Sequence, residues 1–201
     1  MAILIDEQRT ELAGSTLAEV LDSAQNELQP RGRVVVEVAL DGRSLSGPDL
    51  ETEQDAAVAD RDVRLTTADP RQLVAQTLRQ VDDRLEEARE LQNEAAELLQ
   101  QDKPSSAMDR VGEAINIWLQ AQQAVLNSAM LLGIDLDQLT IDGEPLKSFT
   151  DELLEQLQNV KELLGSQDTV ALADALAYEW PELVDRWHRL LATLVAHVEG
   201  G

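Results

Sequence analysis

Apolar positions follow two different spacings along the chain, and the change between them divides the sequence. Over residues 1–69, short runs of apolar and β-branched residues alternate with turn residues around one helical stretch. From residue 70 onward, apolar residues recur at intervals of three and four over long segments. The pattern predicts an α+β chain, with a small domain at residues 1–69 followed by an all-α antiparallel helical bundle at residues 70–201.

The first domain is expected to run in the order hairpin, helix, strand, loop and strand. "AILIDEQRTEL" reads as a short hairpin, and "STLAEVLDSAQNELQ" then changes to helical spacing. Thr16 followed by Glu19 predicts a capping box at the helix start, and Pro30 with Gly32 predicts its end. "RVVVEVALDG" and "RDVRLTTA" are typical of strands.

This order, together with the stretch "VEVALDGRSLSG", resembles the β-grasp (ubiquitin-like) fold. The resemblance implies a compact α+β domain, but two family features differ. Ala39 and Thr66 stand where ubiquitin's interaction patch has large aliphatic residues. The family's reactive diglycine directly follows the last strand, whereas Gly200 and Gly201 lie about 130 residues further on. A scaffold or docking domain is therefore expected, and a modifier or sulfur carrier using Gly200-Gly201 is the least favoured alternative.

The helical part should begin with a long antiparallel hairpin. One helix is predicted from Pro70 to about Asp102, and after the break "QQDKPSSAMDR" a second runs to Leu132, with Ser106 and Asp109 as its capping box. Gln122 interrupts the apolar stripe of the second helix. We interpret it as a register-fixing polar residue or one at the stripe's edge, not as a ligand.

Further helices complete the predicted bundle. Ser148 and Asp151 are expected to cap a helix ended by Gly165. Another helix should be interrupted at Trp180-Pro181, because the residue before proline is pushed out of the helical region. The stretch "LADALAYEWPELVDRW" resembles a segment of uncharacterised bacterial helical-bundle proteins, which implies no known site.

Charge restricts the partners. The chain carries 39 acidic and 16 basic residues, a net charge of −23, distributed over both predicted domains. Such a surface repels phosphate backbones and anionic membranes, so we expect no nucleic acid and no membrane, but a protein partner with a basic or amphipathic helix. The absence of cysteine excludes disulfides and thiolate chemistry. No signal peptide or spanning segment is evident, so a cytoplasmic location is expected.

No arrangement of residues predicts catalysis or a cofactor. His188 and His197 are nine residues apart and cannot share a ligand on one helix, and Asp185-x-x-His188 lacks the second copy that a di-iron bundle needs. The carboxylates Asp135, Asp137, Asp142 and Glu144 fail the spacing of a calcium loop. Phosphate-binding loops and nucleophile elbows are absent from the sequence. We expect no enzyme activity, no metal and no cofactor.

The few aromatic residues provide the candidate site. Trp118, Trp180 and Trp187, with Tyr178, are expected to fill the bundle core, since tryptophan is mostly buried in proteins. The alternative is a groove around Tyr178, Trp180 and Trp187 that receives a partner's helix. The predicted function is a non-enzymatic adaptor, chaperone or assembly scaffold. A homo-oligomer formed through residues 70–132 is the alternative.

Overall fold

The structure is a computed structural model that describes residues 2–136, 138–141 and 143–200. The chain divides into two compact units, residues 1–73 and residues 74–201, which we name the head and the helical unit. The boundary falls inside a long helix, a few residues later than the sequence pattern predicts. The head holds a five-stranded mixed sheet and the second unit is predominantly helical, so the predicted α+β class is confirmed.

The head is a mixed sheet with one 12-residue helix packed on it. Its elements are β1 (Ala2–Ile5), β2 (Gln8–Thr10), α1 (Leu17–Leu28), β3 (Val34–Leu40), β4 (Arg43–Leu45), α2 (Gly47–Glu53) and β5 (Asp62–Ala68). The strand order is β2-β1-β5-β3-β4, with β1 and β5 parallel and the other neighbours antiparallel. The short helix α2 lies in the segment for which the sequence indicated only turns.

Two periodicities build the core of the head. Every second residue of β5 is buried, and α1 buries residues at helical spacing. The buried apolar residues are Ile3, Leu17, Val20, Ala24, Leu28, Val38, Leu40, Leu45, Val58, Val63 and Leu65. Thr16 caps α1 as predicted, its hydroxyl accepting from the Glu19 amide at 3.3 Å. The Glu19 carboxylate returns to the amide of Ser15 at 2.7 Å, one residue earlier than a standard capping box.

The helical unit is made of long helices and one small hairpin. Its elements are α3 (Pro70–Gln100), α4 (Pro104–Leu132), β6 (Thr140–Ile141), β7 (Glu144–Pro145), α5 (Leu146–Ser166), α6 (Thr169–Asp174), a π-helical turn (Ala175–Glu179) and α7 (Trp180–Gly200). The first turn of α3 belongs to the head. Within the part of the chain that the structure describes, no helix has the length and apolarity needed to cross a membrane.

Helices α3 and α4 form the predicted antiparallel hairpin. Arg84 donates to Gln120 at 2.5 Å, and Arg110 lies 3.0 Å from Glu94. From Arg84 to Glu94 the chain advances ten residues along α3, while the partner on α4 moves back ten residues, from Gln120 to Arg110. Only antiparallel helices allow this. Gln122 is half-buried, at the edge of the stripe, and the fully buried polar side chain of the hairpin is Gln92 instead.

Helix starts differ from the predictions where proline or a turn acts first. Helix α4 begins at Pro104, because proline already has the φ of a first helical residue, so the predicted box of Ser106 and Asp109 lies inside the helix. Helix α5 begins at Leu146. Ser148 therefore does not cap it, and its hydroxyl donates to the Pro145 carbonyl at 2.8 Å.

Two predicted helix interruptions are also absent. Helix α5 continues through Gly165 and ends when Gln167 adopts a left-handed φ of 58°, since glycine permits a helix end but does not impose one. The chain stays helical through Trp180-Pro181, where the turn before it widens. The Trp180 amide donates to the Ala175 carbonyl, five residues back, and the wide turn makes room for the proline ring.

Candidate functional site

The three tryptophans form one cluster in the core of the helical unit. The Trp118 ring lies 5.6 Å from that of Trp180 and 5.5 Å from that of Trp187, both edge to face. All three are fully buried, which confirms the core prediction for them. The alternative groove is wrong for Trp180 and Trp187, because their indoles present no surface to a partner. Burial of these large rings stabilises the packing of α4 against α7.

Tyr178 is the exception among the aromatic residues, with 71% of its surface exposed. Successive helical residues are about 100° apart, so Tyr178 and Trp180 differ by about 200°. When Trp180 points into the core, Tyr178 must therefore point to solvent. Of the residues predicted for partner binding, Tyr178 alone is available on the surface.

Tyr178 lies on an exposed stripe that continues in both directions. Val170 and Asp174 precede it by eight and four residues, and Glu182 follows by four, which places them on one helical face. Val170 is 72% exposed. We name this surface the Tyr178 platform and define it by Val170, Asp174, Tyr178, Glu179 and Glu182. The sequence reasoning identified only the tyrosine.

The carboxylates of the platform are free to bind. Among the described residues, Asp174, Glu179 and Glu182 form no ion pair or hydrogen bond through their side chains. An aromatic face beside unpaired carboxylates attracts a cation, since the ring adds a cation–π contact to the charge attraction. The arrangement suits a partner segment that places a Lys or Arg side chain on the Tyr178 ring and an aliphatic side chain against Val170.

His188 has a structural role between α7 and α3. Its Nδ1 lies 2.6 Å from Asp82 and its Nε2 lies 2.7 Å from Glu86. The nearby Asp185 accepts a hydrogen bond from Arg89 at 2.5 Å, and this bond lowers the pKa of Asp185 below its usual value. These contacts join the two helices. Across the described residues, no group of three potential ligands is arranged to hold a metal ion.

The acidic segment between α4 and α5 packs onto the helical unit. Ile141 is buried, and Leu136 and Leu139 pack against the same core, as expected. The Glu144 carboxylate is engaged by Arg186 at 2.7 Å. Asp135 accepts a hydrogen bond from the Gln138 side chain at 2.6 Å. Asp137 and Asp142, the remaining two carboxylates considered for calcium, lie outside the described residues.

The terminal glycines follow a helix. Gly200 is the last residue of α7, and Gly201 lies outside the described residues. Gly200 keeps helical geometry.

A second exposed surface lies on α4, and the sequence reasoning missed it. Residues 114–134 contain no charged side chain, in a chain whose charged fraction is 27%. Within this stretch, Leu119, Leu126 and Met130 are 47%, 38% and 81% exposed. With the partly buried Ile115 and Gln122 they form one stripe at spacings of three and four. We define the α4 neutral face by Ile115, Leu119, Gln122, Leu126 and Met130.

Comparison with known proteins adds a family but no activity. No curated protein matches the chain, and no solved structure matches it. The family described as "domain of unknown function (DUF8042)" matches residues 76–190, which cover most of the helical unit, including the α4 neutral face and the Tyr178 platform. Because the match spans more than half of the 201 residues, the chain belongs to the DUF8042 family.

Proposed function

We propose that this protein is a non-enzymatic protein–protein interaction module that binds a basic, amphipathic helical segment of a partner at the Tyr178 platform. The observation that carries this proposal is the exposure of Tyr178 beside three carboxylates without basic partners. Adaptor, chaperone and assembly-scaffold roles all use such binding. The net charge of −23 favours a basic partner over a nucleic acid or an anionic membrane.

The chemistry of the platform supports a helical occupant. Val170, Asp174, Tyr178 and Glu182 recur every four residues, which matches the repeat of apolar and basic positions on a facing helix. A cation over an exposed tyrosine contributes about 0.5–1 kcal/mol. Attraction by exposed carboxylates adds to this and is weakened by salt. Binding should therefore be reversible and salt-sensitive.

The head supports a docking role rather than conjugation. Its five-stranded sheet with a helix packed on it supports the resemblance to the β-grasp fold, which serves as a scaffold in many settings. Gly200 belongs to a helix of the other unit, in contrast to the extended diglycine tail that an activating enzyme receives.

A matched pair of peptides tests the proposal. The probe is a fluorescently labelled synthetic helix in which leucine and lysine occupy one face at heptad spacing. Its counterpart replaces each lysine by glutamate. Fluorescence anisotropy should show binding of the lysine peptide only. Tyr178→Ala is expected to weaken that binding about three- to fivefold, the equivalent of the cation–π contact. Tyr178→Phe keeps the ring and should retain most of the affinity.

Control variants separate the platform from general acidity. Leu154→Ala changes another exposed position of the same unit, on α5, and should leave the affinity unchanged. Equal binding by the wild type, Tyr178→Ala and the double variant Glu179→Gln/Glu182→Gln would show that the peptide only follows net charge, and would refute the proposed site. If the lysine peptide binds as expected, a photoreactive amino acid introduced at position 178 in the source cells would identify the natural partner. The same amino acid at the exposed Val36 of the head is the control.

A further inference from the structure

The α4 neutral face has no cover within the described part of the chain. Leu119, Leu126 and Met130 expose large apolar surface to solvent, whereas Val111, Trp118 and Val125 of the same helix are buried. Helix α4 has 29 residues, so the stripe from Ile115 to Met130 covers about 22 Å of its length. Contiguous exposed apolar surface of this kind is typical of interaction sites.

Charge selects a second copy as the occupant. Two chains that each carry −23 repel one another wherever carboxylates meet. Residues 114–134 are the longest segment of the helical unit without charge, so a second copy can approach there without burying a carboxylate. A basic partner would gain nothing from this face, in contrast to the Tyr178 platform.

The spacing of the face is also self-complementary. In two antiparallel helices related by a two-fold axis, a residue that precedes the axis by some number of positions lies opposite the residue of the other copy that follows the axis by the same number. With the axis between Gln122 and Gln123, Leu119 lies opposite Leu126 of the other copy. Ile115 then lies opposite Met130, so apolar residues meet on both sides of the central glutamines. Gln122 meets Gln123, and two amides can exchange hydrogen bonds because each carries a donor and an acceptor.

We infer that the protein forms a homodimer in which the α4 neutral faces of two copies pack antiparallel about a two-fold axis between Gln122 and Gln123. This inference is independent of the proposed binding at the Tyr178 platform, since the two surfaces share no residue. It also gives Gln122 the register-setting role of a polar residue in a helix–helix interface.

Solution mass provides the first test. Light scattering after size-exclusion chromatography should give twice the 22.1 kDa of one chain at tens of micromolar. Leu126→Glu places a carboxylate opposite Leu119 of the other copy and should raise the dissociation constant at least tenfold. Leu154→Glu makes the same change at an exposed leucine of α5, outside both surfaces, and should leave the dissociation constant unchanged. A wild-type protein that stays monomeric at these concentrations overturns the inference.

Cross-linking tests the geometry, and the absence of native cysteine removes any background. In Gln122→Cys, a short thiol-specific reagent should cross-link residue 122 of one copy to residue 122 of the second copy. Met130→Cys should not, because the antiparallel register separates the two copies of residue 130 by about 22 Å along the helix. An equimolar mixture of Leu119→Cys and Leu126→Cys should form the mixed product. Efficient self-cross-linking of Met130→Cys would indicate parallel packing and overturn the proposed register.

Salt separates this inference from the proposed function. Screening reduces repulsion between two acidic copies, so dimerisation should strengthen as ionic strength rises. Binding of the lysine peptide at the Tyr178 platform should weaken over the same range. Loss of one behaviour with retention of the other shows which of the two proposals has failed.

Discussion

Asp6 binds both the backbone and the side chain of Thr67, 61 residues further along the chain. The Thr67 amide donates to Oδ1 at 2.8 Å and its hydroxyl donates to Oδ2 at 2.6 Å. Arg33 Nη2 lies 3.3 Å from Oδ2 and also donates to the Thr67 carbonyl at 2.8 Å. The two bonds from Thr67, and then Arg33, hold the pKa of Asp6 below its usual 3.8. They connect the β1–β2 turn to the end of β5.

Asp6→Asn should destabilise the head by about 1 kcal/mol at neutral pH, a value kept small by solvent screening of a partly exposed carboxylate. Because the folded pKa is lowered, the carboxylate contributes stability above pH 3.8 and loses that contribution as the pH falls below it. Hydrogen–deuterium exchange of head peptides at about pH 7 and about pH 3 measures this. Asp60→Asn is the exposed control. A difference of the same size at both pH values would contradict the prediction.

Trp118→Ala should destabilise the helical unit by about 3–5 kcal/mol, because it leaves a cavity between two rings that pack on the indole. Trp118→Phe keeps an aromatic ring and should cost less. Tyr178→Ala, at an exposed position, should change stability by no more than about 0.5 kcal/mol. Thermal unfolding followed by far-ultraviolet circular dichroism compares the three, and similar losses for Trp118→Ala and Tyr178→Ala would contradict the assigned burial.

Two glycines should respond to alanine with opposite signs. Gly165 lies inside α5, so Gly165→Ala should stabilise by about 0.5–1 kcal/mol through helix propensity. Gly133 ends α4 with a φ of 65°, where alanine is strained, so Gly133→Ala should destabilise by about 1 kcal/mol. A side chain at either position meets no atom within 4 Å, so steric clash does not complicate the comparison. Melting temperatures that shift in the same direction would refute this account.

Arg186→Met should destabilise the helical unit by about 1–2 kcal/mol, because Arg186 makes three interactions at once. Its guanidinium lies 2.7 Å from Glu144, 3.2 Å from Glu152 and 4.9 Å above the Phe149 ring centroid. Arg186→Lys should recover only part of the loss, since an ammonium cannot form the planar fork.

The control for Arg186 is Lys147→Met. This change removes the exposed pair of Lys147 with Asp151, which contributes about 0.3–0.5 kcal/mol in a helix. Urea unfolding curves of the variants measure the differences. A loss for Arg186→Met no larger than that of Lys147→Met would show that the cluster does not stabilise the fold.

Apolar spacing was sufficient to predict the two-part architecture and the long helices, because burial of one face determines where a helix can lie. Helix ends were harder to predict. Several residues near positions 104 and 148 have side chains able to cap, and the choice depends on backbone geometry: Pro104 starts α4 without a side-chain cap. The left-handed Gln167 has no sequence signal, since left-handed geometry is costly for a residue with a side chain.

The surface was less predictable than the core. That the tryptophans are buried follows from their size, but the exposure of Tyr178 depends on the side of the helix that Trp180 occupies. The π-helical turn Ala175–Glu179, which precedes Pro181, affects which side this is, and apolar spacing alone does not reveal the turn. The α4 neutral face, by contrast, could have been found by searching for a segment without charge.

All three tryptophans, the tyrosine and the phenylalanine lie between positions 118 and 187, and the head contains no aromatic residue. Intrinsic fluorescence therefore reports on one half of the molecule only. Excitation of the buried indoles follows the unfolding of the helical unit while the head is optically silent. A comparison of emission with amide circular dichroism, which sees both halves, would reveal whether the two units melt as one cooperative body or separately, without any label.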